Sequence, residues 1–201
     1  MSGHVHKDYI GAKFGMWLFL FTEVLLFGGL FILYAVYLAR YPQEFISAGG
    51  ELDVRFGGGN TLVLLTSSLF VAISITALRC EKVRLAMGLL GATIGCAALF
   101  MINKYFEWTA KFSHGIYPGS EHFADMKPGE MVFFNIYYLT TGLHGIHVVI
   151  GAIILAWTMC LIRSGRVNAK DWVILENAGL YWHLVDLIWI FIFPLYYLVL
   201  H

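Results

Sequence analysis

Apolar residues gather into five long runs along this chain, at about 14–38, 61–79, 85–106, 131–162 and 177–200, with short polar stretches between them. Each run is near or above the roughly 20 residues a helix needs to cross a hydrocarbon core of about 30 Å. The pattern predicts an all-α, polytopic transmembrane helix bundle of five spans, with residues 1–201 forming a single transmembrane domain. The fourth run exceeds the minimum span, so its helix should tilt or project beyond the lipid.

An odd number of spans puts the termini on opposite sides. The N-terminus and the second and fourth connections carry Lys7, Lys13, Arg79, Lys82, Arg84, Arg163, Arg166 and Lys170; the other face carries Arg40, Arg55, Lys104, Lys111 and Lys127. The excess of cations on the first set predicts the N-terminus inside and the C-terminus outside. The outer loops also hold Glu44, Glu51, Asp53, Glu121, Asp125 and Glu130, which read as a solvated face. Gly57-Gly58-Gly59 reads as the end of the first outer loop, and Pro118-Gly119 and Pro128-Gly129 as helix stops in the second. Aromatic residues near the run ends (Trp17, Tyr37, Tyr41, Tyr105, Trp108, Trp172, Tyr196 and Tyr197) suit an interfacial belt.

Composition agrees with a membrane setting: 59% of residues are hydrophobic, 13% are charged, and the mean hydropathy is +0.73. A formal net charge of zero and scattered cations exclude a nucleic-acid partner. Cys80, Cys96 and Cys160 are too far apart for C-x-x-C chemistry and read as small packing residues. The first apolar run is too long for a signal-peptide core and should remain as an anchor.

Against this background the polar groups inside the runs stand out, because ionisable side chains at bilayer depth are costly. Glu23 lies well inside the first run and must face protein or water, as a proton-handling group or as an acid bonded to a neighbouring helix. Glu107, beside Lys104 and Trp108, reads as half of an interfacial ion pair. His144 and His147 share one helix face with Thr140 and Gly151; they could hold a metal if other ligands joined them, or bond across a helix interface. Close packing is the reading that Gly142, Gly145 and Gly151 favour. His183 and Asp186, downstream of Glu176, are three residues apart and could pair with each other or with other helices. Gly91-x-x-x-Gly95 in the third run and Ser67 and Ser74 in the second predict further tight helix contacts.

As ordered strings, these residues resemble subunit III of the haem-copper oxidases, of the cytochrome c oxidase type. The likeness runs from Phe14-Gly15-Met16-Trp17 and Thr22-Glu23-Val24-Leu25 through Asn60-Thr61, Ser67-Ser68 and Tyr105-Phe106-Glu107. It is most specific in Thr141-Gly142-Leu143-His144-Gly145-Ile146-His147-Val148 and in Glu176-Asn177-Ala178-Gly179-Leu180-Tyr181-Trp182-His183-Leu184-Val185-Asp186.

The resemblance implies an accessory subunit in a bacterial inner (cytoplasmic) membrane. It would stabilise subunit I, also meet subunit II, and support proton supply to oxygen reduction. Haem and copper would lie in those partners, none in this chain, and phospholipid could be bound. The position of Glu23 matches a buried carboxylate associated with the family's proton machinery. Longer members have seven spans, so a lipid cleft built by their extra pair is in question for five. The electron donor would be cytochrome c by default, with quinol as the alternative. Two other classes compete: an intramembrane haem or metal protein using His144, His147 and His183, and a proton conductor built on Glu23 and Asp186.

Overall fold

The computed structural model describes residues 8–199, so Lys7 and the end of the last apolar run at Leu200 lie outside the described residues. Seven helices follow one another: α1 (Tyr9–Arg40), α2 (Pro42–Gly49), α3 (Val54–Arg79), α4 (Val83–Ser113), α5 (Glu121–Ala124), α6 (Pro128–Arg163) and α7 (Val173–Phe193). The last continues as a π-helical turn, Pro194–Leu198. Five of these elements are long and apolar enough to span a membrane: α1, α3, α4, α6 and α7 with its π turn. The protein is an all-α polytopic bundle.

The spans outrun the apolar segments at most ends, because capping chemistry rather than hydropathy sets where a helix begins. Asp8 starts α1 by accepting the Gly11 amide at 2.8 Å, and Asp53 starts α3 by accepting the Arg55 amide at 2.8 Å. Consequently Gly57, Gly58 and Gly59 lie inside α3 and do not end a loop. A Cβ at Gly57 would come within 2.8 Å of the Phe193 ring, so this glycine exists to let α7 close on α3. Pro128 likewise opens α6 instead of stopping a helix, in the first turn where a missing N–H costs nothing. Between α3 and α4 the reversal is tight: Glu81 takes φ 61°, and the Lys82 amide returns to the Ala77 carbonyl at 2.9 Å.

α3, α4, α6 and α7 pack as a four-helix core, with α1 lying against α6 and α7. Burial follows helical spacing. α3 buries Asn60, Leu64, Ser67, Val71 and Ser74, and α4 buries Leu90, Thr93, Ala97, Phe100, Lys104 and Glu107. α1 fully buries only Leu20, Phe27 and Tyr34, one narrow stripe flanked by half-buried residues, and leaves its opposite face open.

Several expectations are corrected here. A Cβ at Gly91 or Gly95 would meet nothing within 4 Å, so this pair points away from the neighbouring helices and makes no packing contact in the chain. At Gly151, by contrast, a Cβ would stand 2.9 Å from Trp182; Gly142 faces Trp108 at 3.3 Å and Gly145 faces Met101 at 3.7 Å. Cys80 and Cys160 are exposed and do not fill the core. Tyr196 and Tyr197 are fully buried, because the π turn rotates both inward, and so they take no part in an interfacial belt.

Candidate functional site

Three groups of buried polar side chains each join different helices. The first is Glu23 on α1 with His147 on α6. Glu23 projects from the buried stripe of α1, one turn from Leu20 and from Phe27. Its Oε2 lies 2.9 Å from His147 Nε2, with the side chains 13% and 10% exposed. The other imidazole nitrogen, Nδ1, is 2.8 Å from the Leu143 carbonyl, which can only accept. Nδ1 therefore carries a hydrogen, and Nε2 and the Glu23 carboxyl share one proton between them: either the acid donates to a neutral ring or the imidazolium donates to a carboxylate. Both forms are neutral as a pair, which makes them tolerable at bilayer depth. The Phe27 ring meets the imidazole edge-on at 5.3 Å, and Tyr181 lies over it at 6.5 Å. A groove of about 520 Å³, walled by Phe19, Ile150, Trp157 and Tyr181, reaches both members of the pair.

The second group lies toward the α2–α5 end of the bundle. Lys104 and Glu107 form the expected ion pair, with 3.0 Å between Nζ and Oε2, and both side chains are buried inside the bundle. Lys104 Nζ is also 2.7 Å from the Tyr197 hydroxyl, and Glu107 Oε1 accepts from Tyr197 at 2.5 Å and from Tyr137. The ammonium stands over the rings of Tyr137, Trp189 and Tyr197 at 5.3, 5.0 and 5.3 Å. Charge neutralisation and full hydrogen bonding explain how an ion pair survives here. One turn on, Lys111 donates to the Glu51 carbonyl at 3.1 Å, which ties α4 to the loop after α2.

The third group is on α7. His183 does not pair with Asp186; its Nδ1 is 2.6 Å from Ser68 Oγ on α3. Ser68 also faces the Asp186 carboxyl, whose two buried oxygens nevertheless make no hydrogen bond of good geometry. Neighbouring rungs tie α7 to its partners: Trp182 donates to Ser67 at 2.9 Å, Trp189 to Thr61 at 3.0 Å, and Tyr196 to Thr140 at 3.1 Å. Glu176, at the start of α7, pairs with Lys13 of α1 at 2.9 Å.

His144 departs from expectation. It is fully buried, but neither ring nitrogen has a partner, and it packs as an aromatic against Phe100 at 5.5 Å and Trp189 at 5.2 Å. Of the two α6 histidines, only His147 bonds across a helix interface. Among the described residues no three His, Cys, Asp or Glu side chains gather in a way that could hold a metal ion. Sequence reasoning placed Glu107 beside Lys104 but missed Tyr137 and Tyr197, which complete the cluster. The legible signal was Lys104, Glu107 and Lys111 on one helix face, three and then four residues apart in a mostly apolar segment.

This is a membrane-embedded helical subunit whose buried chemistry is that of shared protons and interhelical hydrogen bonds. The family model for cytochrome c oxidase subunit III matches residues 1–199, and the chain belongs to that family. Among its relatives, "Cytochrome c oxidase subunit 3" of Thermostichus vulcanus is 30% identical over 98% of this chain and 90% of its own length. The Synechocystis protein of the same name is 28% identical over 98% of this chain and 78% of its own length. "Heme-copper oxidase subunit I+III" of Aeropyrum pernix is 31% identical over 96% of this chain, which spans only 23% of that longer protein. Membership makes the chain an accessory, non-catalytic subunit of a haem-copper oxidase.

Proposed function

We propose that the chain acts as one transmembrane domain that braces the catalytic subunit I and sustains proton supply to it during oxygen reduction. The observation carrying the second half is the Glu23–His147 pair: one shared proton, 2.9 Å between the heavy atoms, and a groove that reaches it. A pair placed in this way can pass its proton between acid and imidazole without leaving a net charge stranded in lipid. The relative whose name joins subunits I and III supports subunit I as the main partner. Subunit II, a bacterial cytoplasmic membrane, bound phospholipid and an N-terminus on the inner side complete the reading. The cations at the α3–α4 and α6–α7 turns, among them Lys82, Arg84, Arg163 and Arg166, support that orientation. Haem and copper belong to the partner subunits, and cytochrome c is the proposed donor ahead of quinol.

The test is Glu23→Gln in the whole oxidase. The amide can still bond to His147 but cannot exchange a proton. The assembled enzyme should keep its initial turnover and then lose turnover lifetime and proton-pumping stoichiometry. Wild-type lifetime and pumping in a fully assembled variant would remove the proton-supply role and leave only the brace.

A further inference from the structure

His183 sits ten residues into α7, about 15 Å along the helix and so near the middle of a hydrocarbon core of about 30 Å. It is part-exposed, and its Nδ1 is taken by Ser68. Whichever partner donates in that bond, a neutral imidazole keeps one further hydrogen-bonding group at Nε2: an N–H if Ser68 donates, a lone pair if the ring does. Among the described residues Nε2 has no partner within the chain, and it is not one of the enclosed atoms.

Lipid tails cannot satisfy it, and mid-membrane is where an unmet polar group is most costly. The outward-facing hydroxyls of three threonines in the spans are closed within their own helices: Thr22 bonds to the Phe19 carbonyl at 2.7 Å, Thr66 to Leu62 at 2.7 Å, and Thr109 to Tyr105 at 2.7 Å. The α4–α6 face offers a contrast. Its groove of about 530 Å³ is walled by Met101, Tyr105, Trp108, Ile146 and Val149, and its one charged residue, Lys104, is turned inward onto Glu107. Apart from the enclosed Trp108 indole N–H and the Tyr105 hydroxyl, that face offers lipid only apolar groups, whereas His183 presents an outward polar atom at the centre of its face.

We propose that the α3–α7 face centred on His183 meets a transmembrane helix of the catalytic subunit, and that His183 Nε2 bonds to a hydroxyl, carbonyl or carboxyl group on that helix. Ser68 fixes the ring so that Nε2 points outward, and the exposed Leu65 and Leu69 of α3 and Leu187 and Ile190 of α7 supply the apolar contact around it. The inference rests on the accessory-subunit reading and adds which face docks and through which atom.

The experiment places a benzophenone side chain at Leu187 in one variant and at Ile153, on the α4–α6 side, in another, and irradiates the whole oxidase in its native membrane. Leu187 and Ile153 are 48% and 63% exposed, so both tolerate the probe. Capture of subunit I from Leu187 but only of lipid from Ile153 is the expected result. Subunit I captured from Ile153, alone or equally with Leu187, overturns the inference while the accessory role stands. No subunit I adduct from either position also overturns it; if subunit I then fails to co-purify with the unmodified chain, the accessory reading falls as well. A second measurement separates docking from internal packing. His183→Leu should release the chain from the oxidase at a several-fold lower detergent concentration than Ser68→Ala, which loses the internal bond but keeps Nε2. Equal release by the two variants would mean that His183 works only inside the chain.

Discussion

Two ion-pairing sites in this bundle use similar chemistry to different ends. Lys104 and Glu107 stand on adjacent turns of one helix and are closed in by two tyrosine hydroxyls and three aromatic faces. Glu23 and His147 come from different helices, have one bond between them, and lie at the edge of a groove. In the first site every polar atom is committed, so a change of protonation would strand a charge and break several bonds at once. In the second a single proton distinguishes two neutral arrangements. The difference teaches that enclosure, rather than the presence of acid and base, separates a structural lock from a group that can exchange protons.

Removing one partner from the lock should give the largest effect. Glu107→Ala leaves the Lys104 ammonium buried and unpaired, and should destabilise the purified chain by about 3–5 kcal/mol in a denaturing-detergent titration. The double variant Lys104→Met with Glu107→Leu removes both charges and should recover most of that loss. Failure of the double variant to recover would mean that the pair specifies the packing of α7 on α4 rather than merely neutralising itself. Tyr197→Phe is the next step down: it deletes hydrogen bonds to two charged groups while keeping the ring, and should cost about 1.5–3 kcal/mol in the same titration.

The contrast between the two sites was only half legible in the chain. Glu23 announces itself as a lone carboxylate among apolar residues, and the spacing of His144 and His147 puts them on one face. Spacing cannot say which ring finds a partner. His147 meets Glu23 because α1 lies against α6, whereas His144, one turn earlier, meets the rings of Phe100 and Trp189. The five spans were visible because hydropathy is additive along a segment; the short α2 and α5 were not, because eight and four residues give no periodicity to read. Glycine spacing misled in one case: Gly91 and Gly95 have the pattern of a contact face, but α4 turns other residues toward its neighbours. Tyr196 and Tyr197 looked interfacial from their place near the end of the chain, and the π turn at Pro194 put them inside.

Glycine substitutions sharpen the same distinction between closed and open surroundings. Gly151→Ala would drive a methyl group to within 2.9 Å of Trp182 and 3.2 Å of Tyr181, the ring that lies over His147. Overpacking of this kind should cost about 1–3 kcal/mol. Gly95→Ala adds the same atom where nothing stands within 4 Å, and should leave the isolated chain unchanged or slightly more stable, since alanine is the better helix former. Thermal unfolding of the two variants side by side checks the order, and a large loss from Gly95→Ala would show that this face of α4 is closed in a way the chain alone does not explain.

Among the polar sites, the smallest stability effect should come from the one with the greatest functional effect. Glu23→Gln keeps a donor that can reach His147 Nε2 and introduces no net charge, so the purified chain should lose no more than about 1 kcal/mol. Because the Leu143 carbonyl holds the hydrogen on Nδ1, a neutral ring leaves Nε2 bare, and the amide then donates to it through its NH₂ group. Chemical shifts of the His147 ring nitrogens would check this directly: in the variant they should report one protonated and one bare nitrogen. In the wild-type pair the proton can sit on either partner, so the Nε2 signal should be displaced from the variant's toward the protonated form. A wild-type Nε2 signal identical to the variant's would make Glu23–His147 a second lock, and the distinction between the two sites would then be one of exposure alone.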